Sequence, residues 1–387
     1  MEDWREILYW LTAFHLSAVL AWEALGHYAF FRIPFLRKSV CDKPDRWPSV
    51  SIIFAAKDEQ REIEQAVRSM LKIEYPNLQY TAVNDRSADK TGEILDRLAE
   101  EDERLNVVHI DELPNGWLGK NNALHLAATA TDTDYLLFTD ADVSFDAECV
   151  RRAVSYTEHH GTDHLTMFPK VPMPSLILNA FVVFFFKMFV VYYQAWRVSN
   201  PNSQAFLGIG AFNLLRNSVF REVGGFERIR MEVVDDLMLG KLIKQSGYQQ
   251  QAVIARDDIS VPWYGSVREM VVGLDKNTYA GVDYNPFKWI VMLVFVTLAF
   301  LWPFMGIFMF IDNLQLLFAA ICGVLIISSA WMAMRMRVNP FAALCVPLII
   351  MIFLFIIARA GIIFYIRGGI KWRDTLYTKQ QLRSGRL

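Results

Sequence analysis

The chain has 387 residues, of which 53% are hydrophobic, 14% aromatic and 21% charged, with a formal net charge of -2. It is too apolar for an ordinary soluble protein and too charged for a pure membrane bundle, so a soluble domain joined to membrane helices is expected. The near-neutral charge argues against nucleic acid as a partner, and Cys41, Cys149, Cys322 and Cys345 are too scattered for a metal site or disulfide framework, reading as packing residues in a reducing compartment.

In chain order, the first apolar stretch is 7–31, which carries His15, Glu23 and His27 and has no small-residue cleavage pattern at its end. It predicts a membrane anchor over 1–32 and not a signal peptide. Glu23 and His27 lie one helical turn apart with His15 near the same face, which packing or interfacial hydration explains. Arg32, Arg37, Lys38, Lys43 and Arg46 follow, and the positive-inside rule assigns that side to the cytosol.

From about residue 48 the pattern changes to apolar strands alternating with amphipathic helices. "VSIIFAAKDE" predicts a strand leading into a helix through Ile63, Val67, Met70 and Leu71. "LQYTAVND" predicts the next strand, and "SADKTGEILDRLAEE" a helix that Ser87 is placed to cap. "NVVHI", "KNNALHLAATA" and "DYLLFTDAD" continue as strand, helix and strand. Such alternation implies an α/β fold with a mostly parallel sheet covered on both faces, whose ligands bind at the carboxyl ends of the strands.

Acidic residues stand at those ends: Asp58 with Glu59, Asp85 after Asn84, and Asp140 with Asp142. Carboxylates spaced by two on a strand project from one face. Two like charges so close call for a positive partner, and Mg2+ or Mn2+ suits oxygen ligands; a solvated Asp-rich turn is the alternative. His109, His125, His159, His160 and His164 show no ligand spacing and read as surface or packing residues.

Together these segments resemble a known family. "VNDRSADKTGEIL" is similar to the nucleotide-binding turn of family 2 glycosyltransferases, with Asn84 replacing the first Asp of the usual pair. "TDAD" resembles that family's metal-binding D-x-D, and "VDDLMLGKLIKQSGY" resembles its catalytic E-D-x-x-L followed by Gly-Tyr. The G-W-x-G-K core of "LPNGWLGKNNAL" is similar to a membrane-anchored branch among hopanoid-associated and carotenoid-type lipid glycosyltransferases. The resemblance, over about residues 50–260, implies a GT-A (nucleotide-diphospho-sugar transferase) fold and inverting transfer.

By that resemblance Asp58 and Glu59 frame the nucleotide base, Asp85 contacts the uridine, Asp89 supports the turn and Lys120 approaches the diphosphate. Asp140 and Asp142 hold the Mg2+ or Mn2+, with Asp142 the direct ligand. Asp236 is the general base, with Asp235 in the place of the usual Glu. Gly208 and Gly210 in "GIGAFNLLR" lie on the acceptor side, where glycine lets the backbone approach a ligand. Trp263 and Arg268 are also placed on the acceptor side, near where processive synthases carry Q-x-x-R-W, which this chain lacks; Arg268 with Trp263 and Tyr264 would do a similar job at the diphosphate or acceptor, and an interfacial structural role is the rival. Each role has a plainer rival: Asp235 or Asp236 as a helix cap, Lys120 as a solvated first-turn lysine.

The stretch 175–196, "SLILNAFVVFFFKMFVVYYQAW", has Lys187 as its one charge and is apolar enough to cross a bilayer. A crossing there would part Asp140 and Asp142 from Asp236, so the helix is expected to lie in the interface plane, with Lys187, Tyr192, Tyr193 and Trp196 at headgroup level. It would belong to a glycosyltransferase domain over 48–286. Beyond it, 289–311, 314–334 and 341–358 contain no charged residue and predict membrane helices within 287–366.

A basic tail, 367–387, closes the chain, with Arg367, Lys371, Arg373, Lys379, Arg383 and Arg386 against Asp374. Three crossings would put it outside, against the positive-inside rule, unless a segment near Pro347 is re-entrant; Arg335 and Arg337 fit a cytosolic loop. The expectation is a multi-pass protein of the cell (inner or plasma) membrane with a cytosolic catalytic domain. It would move a sugar from a UDP-sugar to a lipid hydroxyl (isoprenoid, hopanoid-like or sphingoid). A processive polysaccharide synthase and a non-catalytic nucleotide-sugar-binding membrane protein are the alternatives.

Overall fold

The computed structural model describes residues 3–39, 41, 43–372 and 375–384, so Arg373, Asp374 and Arg386 of the basic tail lie outside the described residues. The chain divides into two compact units: Met1–Arg32, Pro172–Tyr192 and Trp263–Thr378 in one, Ile33–Val171, Tyr193–Pro262 and Lys379–Leu387 in the other.

The second unit is α/β. Its strands are β1 (Val50–Ala56), β2 (Leu78–Asp85), β3 (Leu105–Ile110), β4 (Tyr135–Phe138), β5 (Ser144–Phe145), β6 (His164–Phe168), β7 (Asn213–Arg216), β8 (Gln250–Ile254) and β9 (Ile259–Ser260). Seven of them form one sheet in the order β3-β2-β1-β4-β7-β6-β8, and β5 pairs with β9. Within the seven-stranded sheet pairing is parallel except around β7, which is antiparallel to both β4 and β6; β5 and β9 are antiparallel. The mostly parallel sheet read from the sequence is therefore present.

Side-chain alternation explains why these strands read as unbroken apolar runs. Ile52, Phe54, Tyr135 and Leu137 join one apolar cluster, while Ile53, Leu136 and Phe138 join another, so both faces are covered. The helices expected after β1, β2 and β3 run Ile63–Leu71, Thr91–Glu101 and Gly119–Thr129. Ser87 does not cap the second of them, whose N-cap position is Lys90. Asp89 accepts the Thr91 N–H and hydroxyl there, and the Ser87 hydroxyl instead accepts the Asp58 N–H at 3.1 Å.

One topological detail shapes the site. Because β1, β2 and β4 run the same way, their acidic ends share one rim. Antiparallel β7 enters at that rim, with Asn213 paired to Phe138, so the segment before β7 lies beside the residues that follow β4.

The first unit is helical. Among the described residues four helices are long and apolar enough to cross a membrane: Trp4–Arg32, Pro286–Met309, Asn313–Met336 and Pro340–Arg367. These match the expected segments but run past them at most ends. Pro286–Met309 contains a π-turn over Thr297–Leu301, where Pro303 two residues on supplies no N–H for the ordinary ladder. Pro347 lies in the first turn of the helix Val346–Arg367, after a 3-10 segment Pro340–Cys345, so it starts a helix and interrupts none. Tight helix contacts fall on glycine: a Cβ on Gly306 would meet the Phe318 ring at 2.6 Å, and one on Gly361 the Trp289 ring at 2.4 Å.

The helix Leu176–Tyr192 belongs to this helical unit, and within it the Lys187 side chain is buried against protein, 3% exposed. Its amine donates to Glu23 at 2.8 Å and to the Ser329 hydroxyl at 3.0 Å. The reason is electrostatic: a buried ammonium is tolerable where a carboxylate neutralises it, and Glu23 of the first helix does so. Ser328 donates to the same Glu23 oxygen, and the His27 ring bonds Ser328 at 2.7 Å, so Glu23 and His27 serve packing. Tyr193 and Trp196 fall in the α/β unit, and the helical unit takes Pro172–Tyr192 and Trp263–Thr378 out of the expected 48–286 block.

Candidate active site

The residues after β1 and those of the 85–91 turn hold one another in a fixed arrangement. Asp58, at the end of β1 with φ 54°, accepts the Ala88 N–H at 2.8 Å. The Glu59 N–H donates to the Thr91 hydroxyl at 2.8 Å, and the Gln60 N–H to Asp89 at 3.1 Å. Burial works against the Asp89 carboxylate, yet the bonds from Thr91 and Gln60 hold it below the usual carboxylate range. Asp89 thus ties the 85–91 turn to the end of β1.

Asp85 is buried, 4% exposed, and forms a two-pronged ion pair with Arg86 at 2.7 and 2.9 Å. Arg86 is a partner that sequence reading missed. The signal was its position directly after Asp85, in a left-handed conformation (φ 55°) that folds its side chain back. A Cβ on Gly119 would lie 2.4 Å from an Asp85 oxygen, so this glycine lets the start of helix Gly119–Thr129 press against the turn.

That helix start brings in Lys120. The loop before it is stitched to a distant segment: the Leu118 N–H donates to the Arg230 carbonyl at 2.9 Å. The buried Asn121 amide donates to the carbonyls of Ile229 and Glu232 at 2.9 and 3.0 Å. Asn121 is a second residue missed from sequence, visible there only as the neighbour of Lys120. The Lys120 amine consequently reaches Asp140 at 2.8 Å and Asp235 at 3.1 Å. Burial opposes its charge, but Asp140, Asp235 and Asp236 raise it well above an ordinary lysine, so the ammonium persists.

Around it the carboxylates are crowded. Burial, followed by the neighbouring Asp140, pushes the Asp142 carboxyl up to about 7, with Glu59 adding to the effect. Burial and then Asp235 push Asp236 up to about 7 as well. Burial likewise raises Asp235, although Lys120 works in the other direction.

Asp236 is oriented by backbone. One of its carboxylate oxygens accepts the Gly210 N–H at 2.6 Å, and the other accepts the Leu237 N–H at 2.8 Å. The N-cap position of the helix Asp235–Gln245 is Val234, with no side-chain cap. A Cβ on Gly208 would stand 1.8 Å from the Asp236 carbonyl oxygen, and one on Gly210 2.5 Å from an Asp140 carboxylate oxygen. The glycine segment therefore passes between the two acidic stations, and any side chain there would fill the gap. The Thr139 hydroxyl, donating to the Ala211 carbonyl at 2.9 Å, fixes that passage from the β4 side.

The structure thus gathers Lys120, Asp140, Asp235, Asp236, Gly208 and Gly210, with Asp142 and Glu59 coupled to them electrostatically and Asp58, Asp85 and Asp89 along the adjoining turn. Trp263 and Arg268 lie in the helical unit, where Trp263 stacks on Tyr264 with ring centres 5.7 Å apart. Among the described residues no group of three or more His, Cys, Asp and Glu side chains is arranged to enclose a metal ion. Two carboxylates are nonetheless the donor set that Mg2+ or Mn2+ uses when substrate phosphates complete its shell. Asp142, raised first by burial and then by the neighbouring Asp140, and Asp140 itself are oxygen donors of the kind such an ion takes, so the chemistry of the pair fits it.

Known proteins share both pattern and fold. Residues 51–224 match the profile of Glycosyl transferase family 2. The beta-monoglucosyldiacylglycerol synthase of Trichormus variabilis is 33% identical over 141 residues, which is 36% of this chain and 29% of that protein. The 4,4'-diaponeurosporenoate glycosyltransferase of Staphylococcus haemolyticus is 23% identical over 240 residues, 61% of this chain and 62% of that one. In each case the chain spans less than two thirds of the relative's own length. A mannosyltransferase from Pyrobaculum calidifontis, solved with GDP-Man and Mn2+, superposes with a TM-score of 0.54 at 16% identity, over 95% of this chain and 100% of that one. Residues 51–224 of this chain are therefore a Glycosyl transferase family 2 domain built on the GT-A fold.

Proposed function

We propose that this chain is a membrane-anchored, inverting glycosyltransferase that moves one sugar from a UDP-sugar to the hydroxyl of a lipid of isoprenoid, hopanoid-like or sphingoid type. The observation that carries the proposal is the pairing of two acidic stations across the glycine segment. On one side Lys120 joins Asp140; on the other Asp236 is held by the Gly210 N–H with its carboxyl near neutrality.

The division of labour follows from the chemistry. The bond between the anomeric carbon and the diphosphate oxygen breaks, and its electron pair leaves with UDP. The acceptor oxygen forms the new bond on the opposite face, and its proton passes to the Asp236 carboxylate. Lys120, kept charged by its three acidic neighbours, meets the negative charge that grows on the departing diphosphate. Asp140 and Asp142 are the residues that would hold Mg2+ or Mn2+, which when bound adds further positive charge at the diphosphate. Asp235 keeps Lys120 in place, and Asp85 with the 85–91 turn receives the uridine, with Arg86 moving aside.

A lipid acceptor is supported by two observations: apolar helices of membrane-spanning length in the same chain, and relatives named for a glucosyldiacylglycerol and for diaponeurosporenoate. The α/β unit would face the cytosol, where nucleotide sugars are made.

The test is mass spectrometry of host lipids with and without the protein, beside the Asp236→Asn variant. A single hexose-sized mass on one lipid class that disappears in Asp236→Asn, with UDP affinity kept within about threefold, supports the proposal; the rate loss expected for a removed base is about 10²–10⁴-fold. A polymer product points to a processive synthase. UDP binding without any turnover points to a nucleotide-sugar-binding protein.

A further inference from the structure

We propose that His164 is a positioning residue, acting through Asn213 and Gln250 to hold the glycine segment and the Asp236 helix together. The proposal rests on the reading of Asp236 as the base. The three residues are 0%, 2% and 1% exposed and begin β6, β7 and β8. β6 lies between β7 and β8: His164 is level with Gln250 of parallel β8, while Asn213 of antiparallel β7 is level with Thr166, two residues along, within reach of the His164 ring.

The bonding directions are fixed by the backbone groups at the edge of the network. The Leu207 N–H donates to the Gln250 Oε1 at 2.9 Å, which makes Gln250 Nε2 the donor. That amide donates to the Gly240 carbonyl at 3.1 Å and to the His164 ring at Nδ1, 2.7 Å away. His164 Nδ1 is therefore bare, and its Nε2–H donates to Asn213 Oδ1 at 3.0 Å. Asn213 Oδ1 also accepts the Ile209 N–H at 3.3 Å, and its Nδ2 donates to the Ile209 carbonyl at 2.8 Å. Burial pushes the imidazole down to about 4, keeping it neutral in this one tautomer.

The consequence is mechanical. Leu207 and Ile209, on either side of Gly208, are both clamped, and Gly240 of the helix Asp235–Gln245 is tied to the same group. Gly208 and Gly240 leave no gap: a Cβ would stand 1.8 Å from the Asp236 carbonyl at the first and 2.1 Å from the Leu207 carbonyl at the second. Segment and helix thus meet backbone to backbone, and two residues beyond Gly208 the Gly210 N–H reaches the Asp236 carboxylate. Apolar residues could fill the same space, but they would leave these backbone groups unheld; a fully satisfied polar network specifies the position.

The experiment compares the full chain in detergent with His164→Phe, His164→Gln and Asn213→Leu. Transfer is followed as UDP release from UDP-glucose in the presence of total host lipid, UDP affinity by titration, and backbone exchange of residues 205–214 by deuterium labelling. The expected result in His164→Phe is amide exchange at Leu207, Ile209 and Gly210 faster by roughly tenfold or more, with kcat lower by about 10–100-fold. KM for UDP-glucose and UDP affinity stay within about threefold, and His164→Gln, which again offers an acceptor and a donor, recovers most of both losses. Should His164→Phe fail to fold, Asn213→Leu gives the same reading from the other end. Unchanged exchange in both variants overturns the proposal, as does faster exchange with kcat unaltered. If the wild-type chain releases no UDP from UDP-glucose, UDP-galactose, UDP-N-acetylglucosamine or UDP-glucuronate, the transferase reading falls, and the exchange measurement alone still decides whether the clamp exists.

Discussion

Gly208 offers the sharpest single test of how Asp236, the proposed base, is placed. Adding one methyl there puts a Cβ 1.8 Å from the Asp236 carbonyl oxygen and 2.4 Å from its carbon, whereas real Cβ contacts essentially never fall under 3.0 Å. The two backbones must therefore part by more than about 1 Å, and a misplacement of that size costs roughly 10²-fold in rate. Both partners are backbone, so no side-chain rotation relieves the clash. Gly323, with no atom within 4 Å of its would-be Cβ, is the control. Gly208→Ala and Gly323→Ala are purified as full chains and compared by kcat with UDP-glucose and host lipid, by UDP titration and by thermal unfolding. Gly208→Ala is expected to lose about a hundredfold in kcat with UDP affinity within about threefold, and Gly323→Ala to keep its rate within about twofold. A Gly208→Ala enzyme at wild-type speed would mean that contact with the Asp236 backbone has no part in setting the base.

Three further outcomes follow from the same geometry. Asp236 must be ionised to accept a proton and its carboxyl stands at about 7, so kcat should be level above that pH and fall about tenfold per unit below it; a level profile from pH 5 to 8 excludes Asp236 as the base. Asp142, also near 7, is protonated at pH 5.5 and must lose its proton to bind a cation, so Mn2+ with UDP should raise the unfolding temperature more at pH 7.5 than at pH 5.5. Asp142→Asn should abolish that difference, and its persistence would remove Asp142 as a ligand. In the helical unit, Lys187→Met or Glu23→Met alone leaves a buried charge unpaired and should cost about 3–5 kcal/mol, whereas the double variant should recover most of it; equal loss in all three, measured by unfolding in detergent, contradicts a neutralising pair.

Much of this molecule is decided locally. The strands β1, β2 and β4 are covered on both faces, so each appears as an apolar run, and each ends in acid because a parallel sheet opens to solvent and ligand at those ends. Four stretches of membrane length were equally plain, since length and lack of charge are properties of a segment by itself. Asp140, Lys120 and Asp236, which the structure gathers, were likewise visible as residue types in a familiar order.

What a linear reading does not contain is which charge answers which. The partner of Lys187, Glu23, is far away in sequence and on another helix. The pairing of Asp85 with Arg86 depends on a left-handed backbone turn, and the joining of Lys120 to Asp235 depends on Asn121 reaching the Ile229 and Glu232 carbonyls. His164 looked inert for the same reason: its partners Asn213 and Gln250 become neighbours only when β6 is laid between β7 and β8. Hydrophobic periodicity is a property of each segment, but the satisfaction of a buried polar group is a property of the assembled pair, and only folding brings the pair together.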